Sequence, residues 1–107
     1  MTVPTPQDLV REFHRAFGLG TGRPAAVSPG LGRHRRALLE EEVAGVAEAT
    51  EAGRLVDIAH EPADVVCLAY GTALVHGVDL DAVLAEVHRA DVSKPGPDGR
   101  PVLREDG

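Results

Sequence analysis

"RRALLEEEVAGVAEATEAG", residues 35–53, is the stretch whose reading decides the fold. Leu39, Val43 and Val46 recur at helical spacing and share a side with Leu38, so the segment reads as an amphipathic helix that buries that side. Gly53 closes it in the position glycine favours after a helix C-terminus. Two features exceed what a helix needs. Glu40, Glu41 and Glu42 are consecutive carboxylates bordering the apolar stripe. Gly45 lies one turn further on, in a helix interior where glycine costs about 0.5–1 kcal/mol relative to alanine.

Outward from that segment the same period repeats. The second helix is expected over about 33–51. A third runs over about 56–76, and its segment "ADVVCLAYGTALV" is apolar nearly all round, which predicts the central, most buried helix. Pro62 is expected in its first turn, or else at a kink. Upstream, Thr5 before Pro6 resembles an N-cap followed by proline at the first helical position. Leu9, Val10, Phe13 and Phe17 then follow helical spacing over 6–17, ended by Gly18 and Gly20. Five glycines and two prolines between Gly18 and Gly32 mark a loop. Gly77 breaks the third helix, and Asp79 caps a fourth over 80–91 with Leu80, Val83, Leu84 and Val87 inward. The tail, 92–107, is rich in proline and glycine and carries a Pro-Asp-Gly turn signal; it reads as irregular or as a short hairpin. The sum is one all-α domain over 1–107, a four-helix up-and-down bundle.

With 107 residues, small aliphatic side chains and only Phe13, Phe17 and Tyr70 as aromatics, a lone core is marginal. That favours helices meeting closely and a dimer that adds a second layer of burial. The net charge of −6, with no basic stripe, is unsuited to a nucleic-acid polymer and suits divalent cations. Cys67 is the sole cysteine, so neither an internal disulfide nor a cysteine zinc cluster is expected. No signal sequence and no run of eighteen apolar residues is present, so the expectation is a cytoplasmic protein without a membrane span.

Glu61 and Asp64 stand three apart on the third helix, which puts them on one face with Cβ atoms about 5–6 Å apart. If the second and third helices pack antiparallel, Glu42 can converge on that pair. Hard oxygen donors between two helices are what Mg²⁺ requires, with water and substrate phosphate completing its octahedron. Carboxylates at such spacing are also common on solvated faces; what favours a site is their position beside apolar surface. The five histidines show no zinc spacing, and His60 reads as a surface residue. Cys67 reads as a small buried hydrophobe. Arg33, Arg35 and Arg36 read as a solvated helix start rather than as a phosphate-steering group.

"VREFHRAFGL", "RALLEEEVAGVAEA", "EPADVVCLAYGTALVHGVDLDAVLAEVHRADVSK" and "GPDGRPVLREDG" together span nearly the whole chain. In them the sequence resembles the all-α nucleoside triphosphate pyrophosphohydrolases, the MazG-like superfamily, and within it the small branch labelled Cof-like or phosphoribosyl-ATP pyrophosphohydrolase-like. The most specific part is "YGTALVHGVDLDAVLAEVHRADVSK". The family pattern is E-E-x-x-E on one helix and E-x-x-D on the next. Glu41 and Glu42 match the opening pair, Glu61 and Asp64 match the second motif, and Gly45 occupies the place of the last glutamate. The resemblance implies a MazG-like bundle completed as a homodimer or a dimer of dimers. It implies Mg²⁺, with Mn²⁺ as a substitute, held by Glu42, Glu61 and Asp64, and water attack between the α- and β-phosphates of a nucleoside triphosphate. Glu41 is then the residue that orients or deprotonates the water. Lys94 is a phosphate contact, with Arg89 and Asp91 beside it, Asp91 standing where the branch usually has asparagine. Arg89 is also spaced to pair with Glu86 or Asp91. The same resemblance, with Gly45 at a ligand position, admits an impaired relative that binds nucleotide or a protein partner without turnover.

Overall fold

A computed structural model describes residues 2–21, 24–93, 96 and 99. They form four helices, α1 (Pro6–Phe17), α2 (Pro29–Ala52), α3 (Leu55–Val75) and α4 (Leu80–Val92), with no strand among the described residues. The fold is all-α, as the periodicity indicates.

Local chemistry sets the helix ends. The Thr5 side chain accepts from the Asp8 backbone N–H while Asp8 accepts from the Thr5 N–H, a reciprocal box that satisfies two orphan donors at the start of α1. α2 starts four residues earlier than its apolar period suggests. Pro29 stands at its first position, where a missing N–H costs nothing, and so the helix absorbs Gly30 and Gly32 from the glycine-rich stretch. Gly53 ends α2 in the left-handed region at φ 67°, and α3 follows after Arg54. So short a link makes α2 and α3 an antiparallel hairpin, which is the main interhelical packing of the molecule. Pro62 is not in the first turn of α3. It is the eighth residue of the helix, so the Ile58 carbonyl loses its intrahelical donor there. Asp79 caps α4 through the Ala82 N–H, as expected. In the tail, the Gly99 N–H donates to the Gly96 carbonyl at 2.9 Å; Pro97 and Asp98 of the turn signal lie outside the described residues. The remainder of the expected hairpin lies outside the described residues.

α3 is central, packed on α2, α1 and α4. The core of the chain is nevertheless small. Val10, Tyr70 and Leu74 form it, with Leu80 packed alongside, while Ala49 is buried on α2. Several inward assignments are therefore corrected. Val43, Val83, Leu84 and Val87 are exposed; Phe13 and Phe17 on α1 and Leu55 and Val56 at the start of α3, which had no such assignment, are exposed as well. Their spacing is apolar, but α1, α2 and α4 meet too little of one chain to cover it. Exposed surface of this kind marks interaction sites when it is contiguous. Among the described residues no single helix is long and apolar enough to cross a membrane.

Polar bonds hold the outer helices to α3. The Tyr70 hydroxyl donates to Asp81 at 2.8 Å, tying α3 to α4. Gln7, buried on α1, donates from its amide nitrogen to Asp79 and accepts the Leu80 N–H on its amide oxygen. Replacing Gln7 by leucine strands both groups at the start of α4. The expected loss is about 1–3 kcal/mol of unfolding free energy, read from urea denaturation.

Candidate functional site

The α2–α3 hairpin has a register that counts out from Gly53. Glu42 and Asp64 lie eleven residues to either side of it, Gly45 and Glu61 eight, and Arg35 and Gly71 eighteen. Because the link is tight, each pair faces the other across the helix seam. One oxygen each from Glu42, Glu61 and Asp64 lies within 4.8 Å of the others. The antiparallel packing on which convergence depended is thus present, and it joins the residues chosen from spacing.

The electrostatics of the trio are those of crowded like charges. The Glu42 carboxyl is raised above its ordinary range, first by desolvation, then by a hydrogen bond shared with Glu61, then by the charges of Asp64, Glu61 and Glu41. All three carboxylates are half-buried, and no lysine or arginine among the described residues pairs with any of them. Among the described residues the one basic group within 4 Å of the trio is His60, whose Nε2 lies 3.7 Å from Asp64 Oδ1 one turn away. His60 is a surface residue, yet it touches the trio. Three hard oxygen donors with unrelieved repulsion and open access fit a small divalent cation, with Glu42, Glu61 and Asp64 as its holders.

Gly45 is the counterpart of Glu61 in the hairpin register. A Cβ at position 45 would fall 2.6 Å from Glu61 Oε2 and 3.0 Å from its Cδ. The Glu61 carboxylate thus lies in the volume that a side chain at 45 would enter. Glu41 is exposed, outside the trio, and lines a groove of about 410 Å³ with Glu42, Gly45, Glu48 and Glu61.

On the other side of Glu42 and Asp64 a second groove, of about 370 Å³, runs along the α2–α3 seam under α1. Phe13, Leu38, Cys67 and Leu68 form its apolar walls, so Cys67 is an exposed wall residue rather than a buried one. The far end of this groove holds Arg35 and His14, which sequence reasoning missed. Arg35 is not part of a solvated helix start; it is only 8 % exposed. The signal lay in Gly71, eighteen residues beyond Gly53, as Arg35 is before it. A glycine in an apolar helix opposite an arginine marks room left for a guanidinium.

Of the residues assigned to phosphate, Arg89 and Asp91 are not brought to the trio. Arg89 is exposed and forms a two-pronged ion pair with Glu86, its Nε donating at 3.1 Å and its Nη2 donating to the other oxygen. The pair draws the Glu86 carboxyl below its ordinary range. This is the ion pair that the helical spacing also allowed. Asp91 is exposed on the last turns of α4 and lines neither groove. Lys94 lies outside the described residues.

Residues 10–91, which take in α1 from Val10 and all of α2, α3 and both grooves, match the family model described as phosphoribosyl-ATP pyrophosphohydrolase. No curated protein matches the chain.

Proposed function

The chain belongs to the phosphoribosyl-ATP pyrophosphohydrolase family, whose chemistry is pyrophosphohydrolysis of a nucleotide-type substrate, and from that premise we propose a Mg²⁺-dependent nucleoside triphosphate pyrophosphohydrolase that acts as a homodimer. The reaction is attack of water between the α- and β-phosphates, giving nucleoside monophosphate and pyrophosphate. The observation that carries the reading is the convergence of Glu42, Glu61 and Asp64 within 4.8 Å beside an apolar groove.

Each residue has a physical task. Glu42, Glu61 and Asp64 supply six carboxylate oxygens, enough to hold one or two cations while leaving positions for phosphate and water. When bound, Mg²⁺ neutralises phosphate charge and lowers the pKa of water beside it. Glu41, adjacent to the trio and solvated, accepts the proton that the attacking water gives up. The apolar groove takes the nucleoside and excludes water from its face. A second copy of the chain is supported by the exposed apolar faces of α1, α2 and α4, which one chain leaves uncovered.

The test is a panel of nucleoside triphosphates with Mg²⁺ or Mn²⁺, read by pyrophosphate and phosphate release together with size in solution. The expected result is pyrophosphate without phosphate from at least one nucleotide, by a dimer or larger assembly. No pyrophosphate from any of them with either metal sinks the hydrolase. One observation favours a second reading, an impaired relative that binds nucleotide without turning it over: position 45 offers no carboxylate, and the Glu61 carboxylate fills its place. That reading predicts thermal stabilisation by nucleotide with no pyrophosphate released.

A further inference from the structure

Phe13, Phe17 and Tyr70 are the aromatic side chains of this sequence besides its histidines, and it has no tryptophan. Tyr70 is buried in the core, where its hydroxyl donates to Asp81. Phe17 is exposed and lines neither groove. Of the three, only Phe13 borders the groove that starts at Glu42 and Asp64, and it is 52 % exposed there. The fold of one chain therefore leaves half of a large apolar ring in water at the edge of the groove.

That ring is held before any ligand arrives. Phe17, one turn on, packs against it with ring centroids 4.6 Å apart and planes tilted by 39°. The residue beside it fastens α1 to the hairpin. His14 is 2 % exposed, its Nε2 lies 3.1 Å from Arg35 Nη2, and its Nδ1 lies 2.9 Å from the Gly20 carbonyl. A carbonyl only accepts, so Nδ1 carries the proton and Nε2 accepts from Arg35. Gly71 leaves the room on α3, since a Cβ there would fall 2.8 Å from both Arg35 Nη2 and His14 Nε2. Phe13 thus sits on a stretch of α1 that buried hydrogen bonds tie to α2. The groove, about 370 Å³, has its other apolar walls in Leu38 on α2 and in Cys67 and Leu68 on α3. A restrained aromatic ring above aliphatic walls suits a flat ring system better than a flexible chain.

A nucleotide whose phosphates are held through a cation at Glu42 and Asp64 carries its base on the far side of the sugar. Resting on the nucleotide reading above, we infer that Phe13 is the platform on which that base stacks, with the aliphatic walls of the hairpin on the base's other side. Every base has a π-face, so such a platform accepts adenine and guanine alike. It sets the affinity for a nucleoside, not the choice of base.

The experiment measures binding of ATP, GTP and tripolyphosphate, which has the phosphates without a base, by calorimetry with Ca²⁺. It compares the parent with Phe13→Leu, which keeps an apolar wall and removes the flat ring. Affinity for both nucleotides is expected to fall about tenfold or more, and affinity for tripolyphosphate to stay within about twofold. Phe13→Trp keeps the platform and places there the sole tryptophan of the chain. ATP and GTP should quench its fluorescence, and tripolyphosphate should not. Leu9→Trp, at an exposed position of α1 that does not line the groove, is the control and should respond to none of the three. A packing or interface role for Phe13 predicts instead a lower melting temperature or a smaller assembly for Phe13→Leu, with nucleotide and tripolyphosphate affected alike. That result overturns the inference. So does a Phe13→Leu protein that holds ATP as the parent does, or a Phe13→Trp signal that does not tell ATP from tripolyphosphate. Base-dependent binding without pyrophosphate release keeps the inference and removes the hydrolase. Pyrophosphate release with nucleotide affinity unchanged in Phe13→Leu does the reverse, and a parent that binds none of the three removes both.

Discussion

Asp64→Asn leaves the chain helical and takes away its response to divalent cations. Asparagine keeps the shape of the aspartate and one oxygen, but removes a full charge from a trio whose oxygens lie within 4.8 Å. Metal affinity, titrated with Mn²⁺, is expected to fall by at least about tenfold, and pyrophosphate release by about a hundredfold or more, since the cation neutralises the phosphates being cleaved. Without metal the sign reverses. Like charges facing one another oppose folding, so the metal-free variant should melt above the metal-free parent. A structural role for Asp64 predicts the opposite, a lower melting temperature that metal does not restore.

Acid acts on the same repulsion. The Glu42 carboxyl is raised by desolvation and by its neighbours, so the folded state binds that proton more tightly than the unfolded chain does. Its contribution to stability is full below the ordinary glutamate pKa and disappears as pH rises through the raised one. From neutral pH down into the carboxylate range, this group therefore favours the metal-free fold. At the proposed metal site the proton and Mg²⁺ would compete for the same oxygens, so the increment in melting temperature from Mg²⁺ should shrink over that range in the parent. In Asp64→Asn it should be small throughout.

The fold was legible because the helices are marked at their ends and along one side. Thr5 before Pro6, Gly53, Gly77 and Asp79 act within a turn of themselves, and sequence reads such chemistry directly. The start of α2 was obscured because Gly30 and Gly32 look like loop residues, whereas Pro29 at the first helical position outweighs them. Val43, Val83, Leu84 and Val87 were assigned inward because apolar spacing says that a face must be covered, but not by which chain. For the site, Glu61 and Asp64 were visible as a pair one turn apart, and Glu42 needed only the antiparallel hairpin. Arg35 was misread because neighbouring arginines at a helix start are ordinarily solvated. Its burial depends on a glycine thirty-six positions away. Pairing outward from Gly53 would have joined them.

That register also governs position 45, where the resemblance leads one to expect a glutamate. Gly45→Glu should raise metal affinity and pyrophosphate release by about tenfold to a hundredfold, because it adds a carboxylate directly across the seam from Glu61. Space is available at small cost. The atoms a new Cβ would crowd are the Oε2 and Cδ of Glu61, at 2.6 and 3.0 Å, the far end of a flexible side chain that can withdraw. Losing an interior glycine adds about 0.5–1 kcal/mol to the helix. Gly45→Ala is the control that separates crowding from ligation. It adds the same Cβ, pushes the same carboxylate and gains the same helix propensity, but brings no oxygen. Gly45→Ala should melt higher than the parent in the absence of metal and bind Mn²⁺ no better, or worse, since Glu61 has moved. Gly45→Glu should melt lower than Gly45→Ala without metal, where a fourth carboxylate adds repulsion, and higher with it. The two variants therefore cross as metal is added. If they track each other at every Mn²⁺ concentration, position 45 is not a ligand position, and the glycine serves only to make room for Glu61.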